Sequence, residues 1–179
     1  MRKVQKMLRA MIAVIGMAVA ITVAFGLVTH LRVTRYDDVI AAAATEYGVD
    51  PRLVSALIWQ ESRFRPGVVG PAGEVGLMQV TEIVGYEWAG RHARPDFDVD
   101  DLLDPEVNIR AGTWYLARAM QQWSHRPDPV PYALAQYNAG RSNALRWAEG
   151  DQQDAQRFME SITYPGTRAY IERILRRYR

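Results

Sequence analysis

The sequence predicts an all-α domain behind an N-terminal apolar helix. Apolar residues recur at i, i+3, i+4 and i+7 along several stretches, which is the helical period. Helix-opening pairs stand at the head of these stretches, such as Asp50-Pro51, Asp104-Pro105 and Pro165-Gly166. No stretch shows the alternation of a half-buried strand, and no repeat or low-complexity tract occurs. With 179 residues, 49% of them hydrophobic, the chain can build one domain with a core plus an appendage.

From Ala10 to Val28 every residue is apolar or small except Thr22. Those 19 positions approach the roughly 20 residues a transmembrane helix needs. A cleaved signal peptide is the competing reading, with Ala18-Val19-Ala20 as a small-x-small site. That site lies inside the apolar run, and the run ends at Thr29-His30-Leu31-Arg32, a poor cleavage site. An uncleaved anchor over 10–28 is therefore favoured, with 29–35 as a linker and 36–179 as the domain. Arg2, Lys3, Lys6 and Arg9 precede the run while Arg32 and Arg35 follow it, so residues 1–9 are expected in the cytoplasm. The domain then faces outward, into the periplasm.

Tyr36 to Tyr47 reads as the first helix of the domain, with Val39, Ile40, Ala43 and Tyr47 on one face and Gly48 as its C-terminal cap. A second helix starts at Asp50-Pro51 and runs toward Pro66, and a loop with Gly67, Gly70, Gly73 and Gly76 follows. Thr81 is placed to cap a third helix ending near Gly90. Residues 91–104 carry Pro95 and five aspartates without the spacing of a calcium-binding EF-hand, which reads as a solvated loop. Asp104-Pro105 opens a long helix with Ile109, Gly112, Leu116, Ala119 and Trp123 on its apolar stripe. Tyr132 to Asn138 is a short helix, Ser142 is the expected cap of the next, and Asp151 to Ile162 reads as a polar helix with its connection. The last helix starts at Pro165, with Tyr170, Ile171, Ile174, Leu175 and Tyr178 on one face and Arg168, Arg173, Arg176, Arg177 and Arg179 on the other.

Charge and composition exclude several functions. Residues 1–35 hold six basic side chains and no acid, whereas 36–179 hold 16 arginines against 20 acidic residues. The net charge of +2 therefore hides an acidic domain, which gives no support to a nucleic-acid partner. Without cysteine there is no disulfide framework, thiol nucleophile, cysteine zinc site or lipid-modified N-terminal cysteine. His30, His92 and His125 are far apart, so no metal site and no cofactor is expected.

One position breaks the helical pattern. After Val54, Leu57 and Ile58 the next core position is Glu61, where a leucine would be expected. A carboxyl removed from water favours its protonated form, as a general acid working near neutral pH requires. The plainer reading, a helix-end carboxylate paired with Arg63 or Arg65, is equally open on position alone.

The surrounding residues add to this. Glu61-Ser62, then Gly76-Leu77-Met78-Gln79, then Tyr137-Asn138-Ala139-Gly140 resembles the soluble-lytic-transglycosylase (SLT) domain family of the lysozyme-like superfamily. The resemblance runs from about Ile40 to Tyr178. It implies a lysozyme-like helical domain acting on peptidoglycan glycan strands, with Glu61 as the catalytic acid and base. It also implies substrate-side roles for Ser62, Met78, Gln79, Tyr137, Asn138 and Tyr170. Core packing is the alternative for Tyr137, Tyr170 and Met78.

Most glycosidases add a second carboxylate to the acid. Glu74 and Glu82 are the nearby candidates, and both read as structural: Glu74 in a loop, Glu82 in a first helical turn, where an acid suits the helix dipole. In the family that the chain resembles, the acid itself, once deprotonated, takes the proton of the sugar's own 6-hydroxyl, which closes a 1,6-anhydro ring. Goose-type lysozymes hydrolyse instead and carry Asp after this motif, where Thr81 stands here. A non-catalytic glycan-binding module and a membrane assembly protein are the other classes, and the intact Glu61 argues against the first.

Overall fold

The computed structural model describes residues 2–149 and 154–179 and divides into two units, Met1–Asp37 and Asp38–Arg179. The first unit is dominated by one helix, α1 (Arg2–Thr34). It is long and apolar enough to cross a membrane, and side chains such as Phe25 (72% exposed) lie open. The helix continues through most of the expected linker. Nothing between Thr29 and Thr34 breaks it, and those two hydroxyls donate to the carbonyls of Phe25 and His30 one turn back.

The remaining helices are α2 (Asp37–Tyr47), α3 (Pro51–Ser62), α4 (Glu82–Arg91), α5 (Pro105–Gln122), α6 (Val130–Ala139), α7 (Arg141–Trp147), α8 (Ala155–Ser161) and α9 (Pro165–Tyr178). Among the described residues the only extended pairing is two isolated bridges, Val69 with Val75 and Val75 with Val80. The all-α expectation therefore stands.

Most helix starts follow from local chemistry. Asp50 accepts a hydrogen bond from Arg52 N, Thr81 from Val84 N, and Asp104 from the amides of Glu106 and Val107. Gly48, at φ +68°, sits just past the end of α2, where a residue with a Cβ would be strained. Two expectations need correction. Ser142 is an exposed residue within α7, which starts instead at Gly140 with φ +83° and no side-chain cap. The aspartate-rich stretch is not wholly irregular, because Asp98 and Asp101 cap each other's backbone and wind Val99–Leu103 into a 3-10 turn. The expected helix from Asp151 appears as α8, capped by Asp154; residues 151–153 lie outside the described residues.

Packing places α3 against α9, and α6 against both α5 and α9. The core between them holds Leu53, Leu57, Ile58, Leu77, Ile109, Leu116, Leu134 and Ile171, all at most 1% exposed. Burying each such side chain contributes about 2 kcal/mol, so this core fixes where α3 ends.

Candidate active site

Helix α3 ends one residue after Glu61, and its ending is enforced. Arg63 and Phe64 both take left-handed backbone (φ 55° and 58°), which non-glycine residues adopt only when their surroundings compel it. Burial of the Phe64 ring offsets that cost. The Ser62 hydroxyl donates to Leu77 O at 2.8 Å, with Ile58 O also within 3.2 Å, and so ties the helix end to the glycine loop.

The loop itself is ordered by hydrogen bonds from two amides. Gln79, again left-handed at φ 49°, spends both Nε2 protons on Val68 O (3.0 Å) and Gly76 O (2.9 Å). From beneath, the fully buried Asn108 of α5 donates Nδ2 to Val75 O and Leu102 O and accepts Met78 N, each at 2.8 Å. Gly76 has to be glycine here: φ is +80°, and a Cβ would lie 2.3 Å from Asn108 Nδ2.

A cleft of about 370 Å³ opens above this floor, lined among others by Glu61, Glu74, Gln79, Thr81, Tyr115, Tyr137 and Asn138. Four of the seven expected site residues, Glu61, Gln79, Tyr137 and Asn138, thus meet at one surface. The other three stand behind it. Ser62 (1% exposed) is spent on the loop, and Met78 (0%) packs its thioether under Gly112 of α5. Tyr170 (4%) reaches Glu61 from α9 and donates its hydroxyl to Glu61 Oε1. Close packing buries the side chains of Ser62, Met78 and Tyr170 behind the cleft surface.

The Tyr137 hydroxyl donates to Met78 O at 2.9 Å, so it is the Met78 backbone rather than its side chain that orders the cleft wall. Asn138 accepts from the Thr167 hydroxyl at 2.8 Å, linking the last turn of α6 to the start of α9. Burial pushes the Glu61 carboxyl up to about 7; the Tyr170 hydrogen bond draws it down in part, and the charge of Glu74 adds to the rise. Burial, then the charge of Glu61, raises the Tyr137 and Tyr170 hydroxyls well above their usual range, so both keep their protons.

Three contributors were not assigned to the site from sequence. Asn108, Gly112 and Tyr115 follow one another at i, i+4 and i+7 on α5, the same spacing that exposes Glu61 as an anomaly. An asparagine within that stripe was the available signal. Tyr115 packs its ring 5.4 Å from that of Tyr137. Glu74, read as structural, lines the cleft beside Glu61 while its Oε2 accepts from Ala72 N at 3.0 Å.

The family model of the Transglycosylase SLT domain matches residues 38–159. The chain belongs to that family. The SLT domain here is 32% identical over 143 residues to the soluble lytic murein transglycosylase of Salmonella typhimurium, which covers 78% of this chain and 22% of the relative. It is 35% identical over 114 residues to the membrane-bound lytic murein transglycosylase F of Desulfosudis oleivorans, covering 62% and 23%. Among solved structures, the 70 kDa soluble lytic transglycosylase of Escherichia coli superposes with a TM-score of 0.72 at 30% identity, over 80% of this chain and 23% of that one. The lytic transglycosylase Slt of Pseudomonas aeruginosa matches with the same TM-score at 25% identity. The chain thus spans less than a quarter of the length of each of these relatives. The SLT match stops at Met159, before α9 and Tyr170, whereas the two structural matches extend over about four fifths of the chain.

Proposed function

We propose that the chain is a peptidoglycan lytic transglycosylase that cleaves the β-1,4 bond between N-acetylmuramic acid and N-acetylglucosamine. The observation that carries this reading is a single desolvated carboxyl, Glu61, raised to about 7 at the floor of an open cleft. At neutral pH a large share of it is protonated, as the first step needs. Glu61 gives its proton to the glycosidic oxygen, the bond to the muramic acid anomeric carbon breaks, and the N-acetylglucosamine hydroxyl leaves. The Glu61 carboxylate then removes the proton from the muramic acid 6-hydroxyl, whose oxygen bonds to the anomeric carbon. A 1,6-anhydro ring results, Glu61 is protonated again, and no water is consumed. The attack is intramolecular, which gives it a large effective concentration.

In this reading Tyr170 holds Glu61, Gln79 keeps Oε1 as an acceptor for substrate, and Asn138 and Tyr137 form the wall that receives the glycan. Helix α1 anchors the chain in the inner membrane and the domain works on its outer side. The name "membrane-bound" carried by relatives supports anchoring, and the basic residues before the apolar run support this orientation.

Hydrolysis is the second reading, and Glu74 is its specific support, because a second carboxylate in the cleft is what water activation needs. Digesting cell-wall sacculi with the full chain in heavy-oxygen water separates the two. Lytic transglycosylation gives unlabelled anhydro ends, one water lighter than hydrolytic products. Reducing ends carrying the heavy oxygen would overturn the proposal in favour of Glu74-assisted hydrolysis.

A further inference from the structure

Four arginines gather where α3 meets α9: Arg63 just past the end of α3, and Arg173, Arg176 and Arg177 on α9. All four are exposed, and together with Trp59 and Gln60 they border a cavity of about 440 Å³. Two of the guanidiniums lie over the Trp59 ring, Arg177 at 3.9 Å and Arg63 at 5.0 Å from its centroid. Arg173 donates to Gln60 Oε1 at 3.0 Å. None of the four forms an ion pair among the described residues, although Arg52, Arg110, Arg118 and Arg179 all do.

This concentration runs against the composition of the domain, where 20 acidic residues outnumber 16 arginines. Like charges held on one ring repel, and partial desolvation together with the charge of Arg63 lowers the affinity of Arg177 for its proton. A bound anion relieves both. The face is not part of the cleft: at about 100° per residue, Gln60 lies a quarter turn and Trp59 half a turn round α3 from Glu61. Indole and guanidinium side by side are the pair that settles at a bilayer surface, the ring among headgroups and the cation on phosphate. The apolar run ends at Val28 and the domain starts at Asp38, so nine residues, at most about 35 Å of chain from Val28 to Asp38, hold the domain to any bilayer the run enters.

We propose that the arginine face shared by α3 and α9 binds the phosphate headgroups of anionic phospholipids and docks the domain on the bilayer that carries its anchor. The proposal rests on α1 entering the membrane but not on the catalytic reading. Docking would confine cleavage to glycan strands close to the membrane.

The test uses the full chain, which has no native cysteine, carrying Glu172→Cys on the exposed side of α9 beside Arg173. An environment-sensitive dye at that position is read for shielding from acrylamide in phosphatidylcholine vesicles and in vesicles containing phosphatidylglycerol. Shielding should appear only with the anionic lipid and disappear at about 0.5 M salt. It should be lost in the Arg173→Gln, Arg176→Gln, Arg177→Gln triple variant, at about fivefold weaker attachment per arginine. The single Arg176→Gln variant should give an intermediate value and keeps the test open if the triple variant misfolds. Equal shielding in both lipids, or shielding unchanged in the triple variant, overturns the proposal. Shielding by inorganic phosphate on phosphatidylcholine vesicles would mark a free-anion site, and shielding that needs an added acidic protein would mark a protein interface; either also overturns it. Flotation with phosphatidylcholine vesicles reads the anchor separately, since a chain that fails to float there has lost that premise whatever the dye reports.

Discussion

The Tyr170 hydroxyl donates a hydrogen bond to Oε1 of Glu61, joining the last helix to the end of α3 across 109 sequence positions. Two opposing influences therefore meet on one carboxyl. Desolvation raises its proton affinity, and the tyrosine, by stabilising the anion, lowers it. Each can be removed separately.

Tyr170→Phe deletes only the lowering influence. The alkaline limb of kcat/KM, which reports the acid in the free enzyme, should move to higher pH than in the wild type, and kcat should fall about tenfold as the carboxyl loses its orientation. An unmoved limb would show that the bond does not act on the acid. The lost buried hydrogen bond should lower stability by about 1 kcal/mol.

Glu61→Gln should remove cleavage, a loss of at least about a thousandfold, because an amide can neither give nor recover the proton. Its stability should differ from wild type in a pH-dependent way. The folded carboxyl titrates near 7 against 4.5 when unfolded, so between these values the folded state holds its proton more tightly. Wild-type stability is then full below pH 4.5 and declines as pH rises through 7. The glutamine variant lacks this decline, and above pH 7 its advantage should approach about 3 kcal/mol. Thermal unfolding of both chains at pH 5 and pH 8 checks the sign.

Glu74→Gln removes a like charge from the cleft while keeping the shape. The alkaline limb should shift to lower pH, opposite to Tyr170→Phe, and the products should still end in anhydro sugar. Loss of heavy-oxygen label from products that carried it before the substitution would instead assign water activation to Glu74.

Asn108→Leu leaves Val75 O, Leu102 O and Met78 N without their buried partner. At 1–3 kcal/mol for each unmet group, partly relieved by water, destabilisation should be about 4 kcal/mol, measurable as a large drop in melting temperature. The loop that carries Gln79 should loosen first, seen as faster amide exchange at Met78 and Val80.

Sequence alone determined the features that a few neighbouring residues decide. Asp50-Pro51, Thr81 and Asp104-Pro105 start helices through their own side chains and backbone, and the apolar stripes set which faces are buried. Glu61 was legible for the same reason: a carboxyl in a leucine's place is a local anomaly. Gly140 starting α7 was missed because its positive φ is imposed by the turn after α6 and leaves no side-chain signal.

What the tertiary structure decided is which polar groups face the cleft and which are consumed in building it. Ser62 and Asn108 spend their hydrogen-bonding groups on backbone carbonyls and an amide of the glycine loop and on Leu102 O, and Met78 gives the site its carbonyl while its side chain packs against Gly112. Glu74 enters the cleft because the loop folds back through the Val75 and Val80 pairing. The proton affinity of Glu61 follows from such long-range arrangements: the number of water molecules displaced, and the hydroxyl and carboxylate brought close, depend on segments remote in sequence. Periodicity identifies a buried acid, but only packing sets the strength of that acid.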